Sequence, residues 1–90
     1  MAKANVDPAE LRRFSQDLKR FNNELTGLLG SLQGRLRGLD ATWRDQEQRK
    51  FTEAFEQTLK AVGNFLENAH LHAQFLDKKA TAIEDYLKQR

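Results

Sequence analysis

Two histidines are the residues of this chain best suited to bind a metal ion. His70 and His72 stand two positions apart, and imidazole nitrogens are common zinc ligands. On a helix, residues two apart point about 200° away from each other, so these rings cannot hold one ion. We expect no metal site here, and a packing role for His72 beside the core.

A group of carboxylates is the other candidate for chemistry, in acid–base catalysis. It consists of Asp45, Glu47, Glu53 and Glu56. Charges at such spacings along an amphipathic helix are usually a solvated face. The chain has no cysteine, which excludes thiol catalysis and cysteine-ligated metals. The sequence therefore predicts a non-enzymatic protein that needs no cofactor.

The length and composition limit the remaining classes of protein. Ninety residues predict a single domain, 1–90, and the hydrophobic content of 39% is too high for a disordered chain. No apolar run approaches the roughly 20 residues of a membrane span, and the N-terminus lacks the apolar core of a signal peptide. A net charge of +2 does not require a nucleic-acid partner. We expect a cytoplasmic protein, or one secreted without a cleaved signal peptide.

Heptad spacing of leucines predicts the first helix, over about residues 8–38. The leucines are Leu11, Leu18, Leu25, Leu32 and Leu39, with Phe14, Phe21 and Leu28 at the intermediate positions of the repeat. This period is typical of a helix that packs along another helix. Asp7-Pro8 is a strong start signal, because Asp caps well and Pro suits the first helical position. The glycines at 27, 30, 34 and 38 indicate either a weakened helix end or close approach by another helix.

A turn that carries Trp43 should follow at about residues 38–43, and a second helix should run from about 43 to 88. We expect Thr42 to cap this helix, with Asp45 at its third position. The apolar stripe of the second helix is three to four residues wide per heptad, whereas one helix–helix contact needs about two. The fold class is therefore all-α: a long antiparallel two-helix hairpin that assembles as a four-helix-bundle dimer. The expected core and dimer residues are Leu11, Phe14, Leu18, Phe21, Leu25, Leu28, Leu32, Phe51, Phe55, Leu59, Val62, Phe65, Leu66, Leu76 and Ile83.

The tip of the hairpin is the candidate partner-binding site. Its basic residues are Arg35, Arg37, Arg44, Arg49 and Lys50, grouped around Trp43. A basic tip with an exposed tryptophan can bind proteins or phosphates. Asp40, Asp45 and Glu47 dilute the positive charge, so nucleic acid is an unlikely partner. The alternative is that the Trp43 ring packs on the first helix and locks the turn.

The length, the two helices and the tryptophan in the turn resemble the WXG-motif family, which is related to the early secreted antigenic target of mycobacteria. The family motif is Trp-x-Gly, and the chain reads Trp43-Arg44-Asp45. Tyr86 is the candidate for the C-terminal signal tyrosine of the family, with Arg90 where the family has an acid. The resemblance implies an antiparallel four-helix dimer and a role in type VII secretion, as a virulence factor or as the partner of a larger effector.

These observations predict a dimeric helical hairpin that binds other proteins. The partner is a second copy, a related hairpin or a larger effector. Two alternatives remain open: a structural coiled-coil subunit of a larger complex, and a nucleic-acid adaptor that uses the basic tip.

Overall fold

The chain forms two long antiparallel helices. The structure is a computed structural model that describes residues 6–89, with α1 at Pro8–Leu39 and α2 at Gln46–Lys88. The hairpin measures 68 × 21 × 14 Å. Neither helix within residues 6–89 has a stretch long and apolar enough to cross a membrane. The predicted all-α hairpin is confirmed.

The first helix begins where the sequence predicts. The carboxylate of Asp7 accepts a hydrogen bond from the backbone N–H of Ala9 at 2.9 Å, and Pro8 occupies the first helical position. The helix continues through all four of its glycines. A Cβ placed at 27, 30 or 38 would meet no atom within 4 Å. Within this chain the glycines therefore weaken α1 and do not admit a neighbouring helix.

The second helix begins three residues later than predicted, and a different residue caps it. The N-cap is Asp45, which accepts from the N–H of Gln48 at 2.9 Å. Thr42 is still part of the turn, because its N–H donates to the carbonyl of Leu39 at 3.0 Å. The N–H of Trp43 donates to the same carbonyl at 2.8 Å. These bonds prolong the turn through residues 40–45.

Small residues form the closest contact between the helices. Ala69, Ala73 and Ala80 are buried, and the Ser15 hydroxyl donates to the carbonyl of Ala73 at 3.3 Å. Sequence analysis missed Ser15 because a serine at a seam position does not stand out in a hydrophobic pattern. The run of small residues on α2 was the available signal. Close packing therefore lies near the open end of the hairpin, away from the tip.

The predicted core residues divide into two sets within the single chain. One set is half-buried between the helices: Leu11, Leu18, Leu25, Phe55, Leu59, Val62, Leu66, Leu76 and Ile83. The other set remains exposed: Phe14, Phe21, Leu28, Leu32, Phe51 and Phe65. The division largely follows the rows of the heptad repeat, since Leu11, Leu18 and Leu25 form a half-buried row and Phe14, Phe21 and Leu28 form an exposed one.

An ionic cluster fastens the open end of the hairpin. The guanidinium of Arg12 donates two hydrogen bonds to the Glu84 carboxylate, from Nε at 2.9 Å and from Nη2 at 2.7 Å. Lys19 Nζ lies 2.8 Å from Asp77 Oδ2, and the same Arg12 group donates to Thr81 Oγ1 at 2.8 Å. The pairing of Arg12 with Glu84 is bidentate, which is the strongest arrangement of an arginine with a carboxylate.

The cluster lowers the pKa of both of its carboxylates. The hydrogen bond from Lys19 lowers the pKa of Asp77, and the positive charge of Arg12 lowers it further. The hydrogen bond from Arg12 lowers the pKa of Glu84 and in turn raises the pKa of Arg12. A carboxylate with a depressed pKa stabilises the fold above its unfolded-state pKa, and that contribution is lost as the pH falls through the folded pKa.

Replacing Glu84 with Gln should therefore lower the melting temperature at pH 7. The melting temperature of this variant should also change less than that of the wild type as the pH is lowered. The melting curves of Glu84→Gln and of the wild type should converge as the pH falls through the lowered pKa of Glu84, since a protonated Glu84 no longer pairs with Arg12. Circular dichroism melts from pH 7 to pH 3 measure this. Glu53→Gln, at an exposed position outside the cluster, is the control. A constant difference between wild type and Glu84→Gln at every pH would contradict the assignment.

Candidate protein-binding face and hairpin tip

One side of the hairpin carries six exposed large apolar side chains. We define the apolar face as Phe14, Phe21 and Leu28 of α1 together with Phe51, Phe65 and Phe75 of α2. The rings of Phe21 and Phe65 meet edge to face with their centroids 6.2 Å apart. Since this pair bridges the two helices, the row of Phe14, Phe21 and Leu28 lies on the same side of the hairpin as the row of Phe51 and Phe65. Phe75 stands three residues after position 72 of the second row and so lies at its edge.

The opposite side of the hairpin is polar. It carries the ionic cluster of Arg12, Lys19, Asp77 and Glu84. On α1, Arg12 and Lys19 lie along one edge of the seam that contains the buried Ser15. Phe14 and Phe21 lie along the other edge of the same seam. The charged groups on one side of the hairpin thus pair with each other, whereas the large apolar side chains on the other side remain exposed.

The apolar face continues into a groove near the tip. The groove has a volume of about 240 Å³ and is lined by Leu32, Arg35, Leu36, Leu39, Phe51 and Phe55. Arg35 is the one charged residue of this lining. Phe14, Phe21 and Leu28 follow one another at intervals of seven residues, and Arg35 continues this row one interval further. A cation therefore ends the apolar row on α1.

Aromatic stacking fixes the start of α2 against the turn. Trp43 packs on Phe51 with ring centroids 5.8 Å apart, and Phe51 stacks on Phe55 at 5.5 Å and 15°. Trp43 is half-buried. The ring therefore helps to fix the turn through α2, in addition to the hydrogen bond from its N–H to Leu39.

The structure brings together only part of the predicted basic tip. A second cavity, of about 390 Å³, is lined by Asp40, Trp43, Arg44, Asp45, Gln48 and Arg49. Arg44 donates through Nε to the carbonyl of Asp40 at 2.9 Å. Gln48 donates to the Asp40 carboxylate and to Thr52 Oγ1, which joins the end of α1 to the start of α2. Two carboxylates thus share the cavity with two guanidinium groups.

The other predicted tip residues lie elsewhere. Arg35 lines the apolar groove, and Arg37 extends toward Gly34, 4.0 Å from where a Cβ would stand. Lys50 is exposed and lines neither cavity. The carboxylates Glu47 and Glu53 are likewise exposed along α2.

Asp45 has a structural role at the position where the family motif has glycine. Its backbone is extended, with φ −131° and ψ −174°, and no residue in 6–89 has a positive φ. Any residue type can adopt this conformation. Asp45 therefore fits without strain, and its carboxylate caps α2.

The histidines and the C-terminal tyrosine lie on the surface. His70 contacts Gln74 at 3.3 Å, and His72 is exposed in the row that contains Phe51 and Phe65. No group of three potential metal ligands occurs among residues 6–89. Tyr86 is 67% exposed near the end of α2, and Arg90 lies outside the described residues.

Comparison with known protein families identifies the class of this hairpin. The model of the WXG100 family, described as proteins of 100 residues with WXG, matches residues 3–86. This chain belongs to the WXG100 family. The resemblance inferred from Trp43 and the hairpin layout is thereby confirmed. A search of curated protein sequences gives no match.

Solved structures of the secreted protein EsxB from Bacillus anthracis share the fold. A mutant form of EsxB superposes with a TM-score of 0.82 at 24% identity, covering 93% of this chain and 97% of EsxB. Wild-type EsxB gives 0.81 at 24% identity, covering 91% and 88%. A selenomethionine-labelled form gives 0.81 at 23%, covering 96% and 98%. At this level of identity the likeness establishes the fold.

Substitutions at Asp45 should distinguish its role as the N-cap of α2 from the role of the glycine that the family motif has at this position. Asp45→Ala should destabilise the protein by about 1 kcal/mol, because it removes the cap of α2. Asp45→Gly restores Trp-x-Gly and should cost only a few tenths of a kcal/mol relative to Asp, roughly the difference typical of glycine caps. Urea unfolding followed by circular dichroism measures both, with Asp45→Asn as the control that retains a cap. A greater loss for Gly than for Ala would contradict the capping role.

Proposed function

We propose that this WXG100 protein is a non-enzymatic, homodimeric protein-binding hairpin. The apolar face packs against the same face of a second copy to form a four-helix bundle. The observation that supports this most directly is the alignment of exposed phenyl and leucyl side chains from both helices on one side of the hairpin. Large apolar patches of this kind mark interaction sites in soluble proteins.

The expected energy of burial is comparable with the cost of association. Each side chain of the apolar face is about half exposed, so covering it contributes about 1 kcal/mol. Twelve such side chains from two copies contribute about 12 kcal/mol, against an association cost of about 4–15 kcal/mol. One helix alone contributes half of this, so the rows of both helices strengthen the pairing.

Family membership supports a place for the dimer in type VII secretion. Within that system the protein acts as a secreted factor or as the partner of a larger effector. Tyr86, exposed near the end of α2, is the candidate signal residue. The surface that remains outside the dimer would then bind the effector or the secretion apparatus.

The apolar face is a better candidate for binding than the basic tip. In the tip cavity, Asp40 and Asp45 lie beside Arg44 and Arg49, which reduces the local positive potential. Nucleic-acid binding draws its affinity from several cation–phosphate contacts. The tip therefore lacks the unopposed charge that an adaptor for nucleic acid needs.

Two substitutions on α1 test whether the apolar face mediates dimerisation. Leu28 on the apolar face is 67% exposed, and Thr26 is exposed on the opposite, charged side, one heptad after Lys19. Leu28→Glu should weaken the dimer at least about 100-fold, because it buries an unpaired charge at the interface. Thr26→Glu should leave the dimer unchanged. Sedimentation equilibrium gives the dissociation constants.

Circular dichroism on the same samples shows whether each variant remains helical. A helical Leu28→Glu protein with wild-type affinity would overturn the proposed interface. A wild type that remains a helical monomer would overturn self-association itself and would indicate a different hairpin as the partner.

A further inference from the structure

Arg35 stands out as a cation at the edge of an otherwise apolar surface. It belongs to the row of Phe14, Phe21 and Leu28 and lines the groove with Leu32 and Phe51. Residues 6–89 provide no salt bridge to Arg35, whereas Arg12, Arg13 and Arg20 each have at least one. A charge at the rim of an interface is expected to meet an opposite charge on the partner.

We propose that Arg35 and Glu10 form reciprocal ion pairs between two copies of this chain and set the antiparallel register of the dimer. This inference rests on the proposed self-association. The occupant of the apolar face is a second copy, and two pairs form per dimer: Arg35 with the partner's Glu10, and Glu10 with the partner's Arg35.

Distances along the hairpin fix the register. Within the chain, Ser15 lies opposite Ala73 and Phe21 lies opposite Phe65. The Phe21–Phe65 pair is close to the middle of the apolar face, which extends from the level of Phe51 at the tip to the level of Phe75 at the open end. A two-fold axis through this pair covers the face of each copy most completely and places the two tips at opposite ends.

This axis places two carboxylates of the partner copy near Arg35. The partner's Asp7 lies level with Arg35, but the Asp7 carboxylate caps α1 by accepting from the N–H of Ala9. The next carboxylate along the chain is Glu10. Arg35 lies about 21 Å from Phe21 toward the tip, and Glu10 lies about 16 Å from Phe21 toward the open end, at 1.5 Å per residue. After the two-fold rotation, the partner's Glu10 is offset from Arg35 along the bundle by about 5 Å. An arginine and a glutamate side chain together span that distance.

The available alternatives for these charges are less favourable. If both tips lay at the same end, α1 would face the partner's α2, and Arg35 would lie level with the partner's Phe51, whose side chain offers no opposite charge. Glu10 already pairs with Arg13 within its own helix, and its carboxylate has lone pairs free for a second donor. Its exposed position allows that second contact.

Paired charge reversals test the inference. Glu10→Arg alone creates two like-charge contacts per homodimer, and so does Arg35→Glu alone. Each variant should dimerise about tenfold more weakly than wild type. A mixture of the two variants restores opposite charges at both contacts, so it should form mainly heterodimer. Native mass spectrometry resolves the three dimers by mass, because the substitutions change the mass in opposite directions.

Arg37→Glu is the matched control. It makes the same charge change two residues away, where the side chain extends toward Gly34 and away from the apolar groove. A mixture of Glu10→Arg with Arg37→Glu should give close to the statistical half of heterodimer. Loss of the Glu10–Arg13 pair is common to both mixtures, so it cannot produce a difference between them.

The outcomes separate this inference from the proposed function. A predominance of heterodimer only in the mixture of Glu10→Arg with Arg35→Glu supports the register. Equal, statistical heterodimer in both mixtures, with a wild type that dimerises, overturns the Arg35–Glu10 pairing and leaves the dimer intact. A wild type that shows no dimer overturns the proposed self-association.

Discussion

The close approach of two helices over small side chains is the constraint on which the rest of this structure depends. Ser15 packs against Ala73, with Ala69 and Ala80 along the same seam, so the residues that are fully buried between the helices are all small. A seam of small side chains contributes little apolar burial of its own, because an alanine has little surface to remove from water. The hairpin is therefore narrow, and the large residues between its helices, such as Leu11 and Ile83, are only half-buried.

The most exposed of the large aromatic residues lie beside the seam. Phe14, Phe21 and Phe65 flank it on one side, while the ionic cluster of Arg12, Asp77 and Glu84 occupies the other. The charged side satisfies its groups within the chain, and the apolar side has no equivalent solution in a single copy. The same asymmetry underlies both the hairpin fold and the proposed association with a second chain.

Much of the fold could be predicted from the sequence. The heptad leucines and Asp7-Pro8 placed α1 correctly, and the wide stripe on α2 indicated a helix with more than one neighbour. The seam was harder to see, because Ser15 is polar and the aromatic rows beside it are the stronger signal. The start of α2 was misplaced, since Thr42 and Asp45 are both good caps and only the three-dimensional turn decides between them. Arg12 and Glu84 are too distant in sequence for their pairing to be inferred.

Small-angle X-ray scattering of the wild-type protein tests the central claim that a second copy covers the apolar face. One hairpin is 68 Å long with a mass of 10.4 kDa. Two hairpins that pack face to face in antiparallel register double the scattering mass while the maximum dimension remains close to that of one hairpin. A mass of one chain would contradict self-association. A doubled mass with a maximum dimension near twice the hairpin length would contradict side-by-side packing through the apolar face.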